Sequence, residues 1–123
     1  MRPRTALVAE DNDQLGCIIQ YLLERELYQV QVAGDGRQAE KLIDLNPPPS
    51  LAVLDIMMPY ASGFQLLARI RGRADWAGVP VIMLTGRSQE HDIVRAFKSG
   101  ASDYVTKPFQ PNEFLARVNR LTK

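Results

Sequence analysis

The chain has 123 residues, enough for one ordinary domain with a single buried core and too few for two. Its 15 basic and 14 acidic residues leave a formal charge of +1, which excludes the electrostatic footprint expected of a nucleic-acid or anionic-membrane binder. The lone Cys17 excludes a disulfide framework and a cysteine-based zinc cluster within the chain, and its apolar position in a helical pattern predicts a small buried hydrophobe.

Short apolar runs alternate with helix-period segments, the pattern of β and α units around a parallel sheet. The first strand is "ALVA", about residues 6–9. Leu15, Ile18, Ile19, Leu22 and Leu23 then recur at helical spacing and predict one buried helix face. "YQVQVA", residues 28–33, alternates as a half-buried edge strand does. A second helix spans 36–45, and the three prolines of "NPPPS" stop it, since proline neither continues a helix nor donates to a ladder.

"LAVL", about 51–54, is a buried third strand that runs straight into Asp55. A third helix carries Phe64, Leu67 and Ile70, and "VPVIML", 79–84, is the fourth strand. A weakly amphipathic helix through Ile93, Val94 and Phe97 stops near Gly100. "DYV", 103–105, is the fifth strand, and a last helix turns Phe114, Leu115, Val118 and Leu121 toward the core. No apolar run has the length of a signal peptide or a membrane span, so a cytoplasmic protein is expected.

Polar residues collect at the C-terminal ends of the strands. Glu10 and Asp11 come after the first, Asp55 after the third, Thr85 after the fourth, and Lys107 lies just beyond the fifth. In a doubly wound sheet these ends share one edge, and its crevice is where such folds bind ligands. Three acids crowded there would repel one another, and like charges sharing a site force one to take up a proton. A divalent cation removes that conflict, and hard oxygen donors on a rigid strand edge suit Mg²⁺ beside a phosphate-bearing substrate. One Asp55 oxygen would then remain free as a nucleophile. Thr85 and Lys107 would meet the oxygens of a transferred phosphoryl group.

Each residue alone has a plainer reading: Glu10 and Asp11 as a solvated first turn, Asp55 as a turn former, Thr85 before Gly86 as part of a turn, Lys107 as a surface lysine, Tyr104 as a core aromatic. Their joint occurrence at four strand ends favours the shared site. An Asp-nucleophile phosphatase of the haloacid-dehalogenase type would want a second Asp where Met57 stands. A flavin carrier would want a hydroxyl- and Gly-rich phosphate loop where "EDND" stands, and no G-x-G-x-x-G turn is present for a dinucleotide.

Together "VAEDN", "LDIMMP", "MLTGR" and "SGASDYVTKPF", with the spacing between them, resemble the receiver (CheY-like) domain of two-component response regulators over essentially the whole chain. The resemblance implies a three-layer (βα)5 flavodoxin-like α/β fold with strand order 2-1-3-4-5, one receiver domain over 1–123 and no output domain in this chain. It implies Asp55 as phosphoacceptor and Mg²⁺ as cofactor. The metal would be held by Asp11, by Asp55, by the backbone carbonyl of Met57 and by Glu10 through a water. Thr85 with Gly86 resembles the switch position, Lys107 the phosphate-sensing lysine, Tyr104 the aromatic that reports the Thr85 position, and Pro108 a cis-peptide site.

Met57 and Arg87 resemble rate-tuning positions flanking the hydrolytic water's route, and slow self-dephosphorylation is expected. The implied partners are a histidine kinase or a phosphotransfer protein, with Asn12, Gln14 and Leu15 as candidate contacts. A homodimer through the fourth-helix, fifth-strand and fifth-helix face is a further expectation. Asp103 with Arg117 resembles a cross-subunit ion pair there; Glu113 is present, but Ile93 and Ser102 depart from that pattern. No direct nucleic-acid or membrane contact by this chain is expected. The rival to a phosphorylated receiver is a degenerate one that only binds partners.

Overall fold

In a computed structural model, described over residues 3–86 and 90–122, five strands and five helices alternate strictly. They are β1 (Arg4–Ala9), α1 (Asp13–Arg25), β2 (Tyr28–Ala33), α2 (Gly36–Leu45), β3 (Leu51–Asp55), α3 (Gly63–Gly72), β4 (Val81–Thr85), α4 (Glu90–Lys98), β5 (Asp103–Thr106) and α5 (Pro111–Thr122). All strand pairs are parallel and the order is β2-β1-β3-β4-β5, so the α/β doubly wound arrangement expected from the sequence is the one observed.

The central strand β3 is buried on both faces, and its period of two divides the core. Ala52 and Leu54 pack with Leu66, Leu67 and Ile70 of α3 and with Ile43 of α2. Leu51 and Val53 pack on the other face with Ile19 and Leu23 of α1 and with Phe114 and Val118 of α5. Three helix starts are fixed by side chains that satisfy otherwise orphaned backbone N–H groups. Asn12 accepts from the Leu15 N–H at 3.0 Å, Asp35 from Gln38 at 2.8 Å, and Ser62 from Gln65 at 3.3 Å, with the Gln65 side chain accepting back from the Ser62 N–H at 2.8 Å. No helix among the described residues is long and apolar enough to cross a membrane.

Two helix faces differ from expectation. α1 buries only Gly16, Ile19, Leu22 and Leu23, so Cys17 is exposed rather than a core residue and Ile18 is 50% exposed. Each residue turns the helix by about 100°, and a stripe this narrow leaves positions 17 and 18 facing out. On α4 only Ala96 is buried; Val94 and Phe97 stay 43% and 47% exposed because the helix lies at the β5 end of the sheet, with few neighbours to cover it. The fourth strand starts at Val81, two residues later than expected, although the Pro80 carbonyl still accepts from the Ala52 N–H.

The connection after β3 is seated by two close approaches. A Cβ on Gly63 would stand 2.4 Å from the Asp55 carbonyl oxygen, and one on Gly36 would stand 2.3 Å from that of Ala61. Only glycine lets the starts of α2 and α3 come this near to the β3–α3 loop. The Gly36 N–H donates to the Pro59 carbonyl and the Gly63 N–H to that of Ile56, both at 3.0 Å. The loop beyond Asp55 is thus clamped from two sides.

Candidate functional site

The strand ends bring Glu10, Asp11 and Asp55 together, each offering a carboxylate oxygen within 4.8 Å of the others. Glu10 is 1% exposed and Asp55 3%, while Asp11 is open to solvent. The backbone holds Glu10 inward: its N–H donates to the Ala33 carbonyl at 3.0 Å, and its Oε2 accepts from the Asn12 N–H at 3.1 Å. Asp55 is fixed similarly, with the Ile56 N–H donating to the Leu84 carbonyl at 3.0 Å and the Met57 N–H donating to Asp55 Oδ1 at 3.3 Å.

Lys107 reaches the pair from the fifth strand's end. Its Nζ lies 3.2 Å from Glu10 Oε1 and 3.2 Å from Asp55 Oδ2, one cation between two buried acids. The Lys107–Pro108 peptide is cis, and the Lys107 N–H donates to the Thr85 carbonyl at 2.6 Å. Thr85 is 2% exposed, and its hydroxyl has no hydrogen-bond partner among the described residues. A buried hydroxyl left this way costs about 1–3 kcal/mol, so the site holds a polar group without the partner it needs.

The charges do not balance. Burial first, and then the neighbouring Glu10 carboxylate, push the Asp55 carboxyl up from 3.8 to about 7, against the opposing pull of Lys107. Burial draws the Lys107 ammonium down, but the two carboxylates together outweigh it and leave it raised. Three hard oxygen donors with an excess of negative charge are a donor set that suits a divalent cation such as Mg²⁺.

Of the remaining sequence candidates that the structure describes, Met57 and Gly86 adjoin this centre in the chain, while Asp103, Glu113 and Arg117 form a separate cluster on β5 and α5. Met57 is 76% exposed at the rim, and Gly86 is exposed just after Thr85. Arg87 lies outside the described residues. Tyr104 is half-buried, edge-on to the Phe97 ring with centroids 5.7 Å apart, and the Arg117 guanidinium lies 5.9 Å from its ring centroid. Asp103 is buried and engaged within the chain: Arg117 Nη1 contacts it at 3.0 Å and Arg120 Nη2 at 2.8 Å, while Glu113 stands 3.9 Å from Arg117. The sequence reading did not anticipate Arg120 as part of this cluster. Its one signal was position: three residues after Arg117, it shares that residue's helix face.

The family profile of the response regulator receiver domain matches residues 6–119. The phosphate regulon transcriptional regulatory protein PhoB of Rhizobium meliloti is 39% identical over 123 residues; the match covers all of this chain but 53% of that protein, so the chain spans about half its length. A putative response regulator from Chloroflexus aurantiacus superimposes with a TM-score of 0.91 at 30% identity, covering 98% of both chains. The receiver domain of the sensor histidine kinase PA1611 from Pseudomonas aeruginosa superimposes with a TM-score of 0.87 at 26% identity, again covering 98% of both, and holds a magnesium ion in its active-site cleft.

Proposed function

Since the chain belongs to the response regulator receiver domain family, we propose that it is a phosphorylation-activated receiver: Asp55 takes a phosphoryl group from a histidine kinase or phosphotransfer protein, and the change passes through Thr85 and Tyr104 to an output domain or partner. The observation that carries this reading is the buried Asp55 carboxylate beside Lys107, with two further acids and a Thr85 hydroxyl without a partner among the described residues at the same sheet edge. An Asp55 oxygen attacks phosphorus, the P–N bond to the donor imidazole breaks, and its electron pair stays on the ring nitrogen, which then takes a proton. Lys107 and the Thr85 hydroxyl neutralise and hydrogen-bond the transferred oxygens, the charge stabilisation such transfers need.

Asp11, Asp55 and the Met57 carbonyl would hold Mg²⁺, with Glu10 acting through a water. When bound, the ion offsets the charge of the carboxylates and the incoming phosphoryl oxygens. In this reading the domain is regulatory and cytoplasmic, not a dedicated enzyme. It catalyses only its own phosphorylation and a slow dephosphorylation tuned at Met57 and Arg87.

The test is intact mass after incubation with a small-molecule phosphodonor, with and without Mg²⁺, on wild type and Asp55→Ala. A single Mg²⁺-dependent phosphoryl adduct, absent from the variant, is expected. No adduct under any condition would replace this reading with that of a degenerate module which only binds partners.

Exposed Val94 and Phe97 on α4, with Tyr104 beside them on β5, support a homodimer of the phosphorylated form through the α4, β5 and α5 face. The Asp103–Arg117 contact is closed within one chain, so the apolar residues rather than this pair would carry such an interface. Sedimentation of the protein loaded with a phosphate mimic should then give twice the monomer mass at high concentration. A monomer mass there would discard the dimer.

A further inference from the structure

The sheet ends on β5 at one side and on β2 at the other, and these edges are built differently. β5 opens on Asp103 and leads to Lys107 and Pro108, charges and a proline of the kind that keep other strands away. β2 has none of these. Its run "YQVQVA", Tyr28–Ala33, carries no charge, no proline and no glycine, and its valines and tyrosine favour extended backbone. It pairs with β1 alone, and among the described residues no segment pairs with its outer edge.

The ladder decides which peptide groups face outward. The Ala33 carbonyl accepts from the Glu10 N–H on the β1 side, so alternation turns Gln29 and Gln31 the same way and Tyr28, Val30 and Val32 toward the open side. Tyr28 is 3% exposed, which closes its peptide groups to a partner. Just past the strand, the Gly34 N–H already donates to the Gln38 side-chain carbonyl at 2.9 Å. That leaves Val30, half-buried, and Val32, 38% exposed, with the exposed Gln31 between them. Over Val32, α1 presents Gly16, where even a Cβ would come only to 3.5 Å from the valine, so no side chain at that position covers it.

We propose that the β2 edge is a self-association surface: a second copy of this chain lays its own β2 antiparallel alongside, with the two-fold axis at Gln31. This register is the one that uses the free groups. Val30 faces the partner's Val32 and exchanges both backbone hydrogen bonds with it, and the axis repeats the exchange on its other side. On the sheet face toward α1 the valines meet as an apolar cross-strand pair. On the face toward α2 the two Gln31 carboxamides stand opposite each other, each donating to and accepting from its copy. Self-complementarity fixes the occupant, since a neutral strand with a donor–acceptor side chain on its axis meets no like charge in its own copy. The contact is isologous and consumes both β2 edges, so it closes at the dimer instead of growing into a fibre.

Sedimentation without a phosphate mimic should show a monomer–dimer equilibrium with a dissociation constant on the order of 100 µM, as a contact this small gives. Hydrogen exchange at the Val30 and Val32 amides should slow roughly fivefold at about ten times that concentration. The Gln29 and Gln31 amides, already bonded to β1, should exchange as before. Gln31→Lys sets two ammonium groups across the axis and should weaken pairing about tenfold, as should Gln31→Glu with two carboxylates. Both change an exposed side chain and leave the core intact. An equal mixture of the two variants should associate at least as tightly as the wild type. Val94→Asp, on the α4 face, should pair like the wild type, and on the Gln31→Lys background any mimic-driven dimer of that face is read alone. A chain that stays monomeric at about 1 mM, with Val30 and Val32 amides whose exchange ignores concentration, would overturn the proposal and return the edge to a strand from another protein. A mixture of the Lys and Glu variants no tighter than either alone, or species larger than the dimer, would overturn it too.

Discussion

Asp55→Asn should make the metal-free protein more stable near pH 8, by up to about 4 kcal/mol, and should flatten its dependence of stability on pH. The sign comes from the direction of the shift. Asp55 titrates at 3.8 when exposed and at about 7 in the fold, so the folded chain holds the proton more tightly than the unfolded one. Its contribution to stability is therefore complete below about pH 4 and is lost as the pH rises to about 7. Asparagine keeps the shape and carries no charge to desolvate.

Part of the gain is offset, because Lys107 would keep only Glu10 as a partner; hence the upper bound. Urea unfolding near pH 5 and near pH 8 reads the effect. The wild type should lose stability between the two, and the variant should not. Mg²⁺ at about 100 times its dissociation constant should return about 2.7 kcal/mol to the wild type at the higher pH and much less to the variant. Equal pH dependence of the two proteins would mean that the acids are not in conflict.

This conflict was legible in the residues alone, because a strand of four apolar residues ending in an acid has to be answered by something across the sheet. The topology was legible for the same reason: period-two and period-3.6 patterns do not substitute for one another, and five of each in alternation leave few arrangements. What escaped was set by neighbours in space. Cys17 and Ile18 have apolar side chains at helical spacing, yet their exposure depends on how wide a stripe β2 and α5 can cover. Val94 and Phe97 fit a core helix pattern, but α4 meets too little of the sheet to bury them.

Trp76 is the reverse case. It falls between elements, in a stretch with no periodicity to mark it, and is among the most buried side chains in the chain. The glycines are another: only the packed structure reveals that a methyl group on Gly63 or Gly36 would strike a neighbouring backbone. At the site itself, residue types could be read from strand ends. That Lys107 sits equally far from Glu10 and Asp55, and that the Thr85 hydroxyl has no partner among the described residues, could not.

Lys107→Ala should destabilise the metal-free protein by about 3 kcal/mol near pH 8 and by about 1 kcal/mol near pH 5. The variant leaves Glu10 and Asp55, with side chains 0% and 4% exposed, facing each other with no counter-ion. Breaking a buried pair in this way commonly costs about 3–5 kcal/mol, but here the cost has a ceiling, because Asp55 can take a proton. With Asp55 already titrating at about 7, protonation is nearly free near pH 5, and most of the penalty goes with it.

Two further readouts separate charge from packing in that variant. Mg²⁺ should stabilise it more than it stabilises the wild type, since the ion takes over the neutralisation that the ammonium supplied. Phosphoryl adduct formation should nonetheless slow by about 100-fold, the usual loss when one preorganised donor is removed from a transferred group. A stability loss equal at both pH values would assign Lys107 a packing role and remove the charge argument. The same change made in Asp55→Asn should cost less than in the wild type, because there the lysine answers one buried acid instead of two.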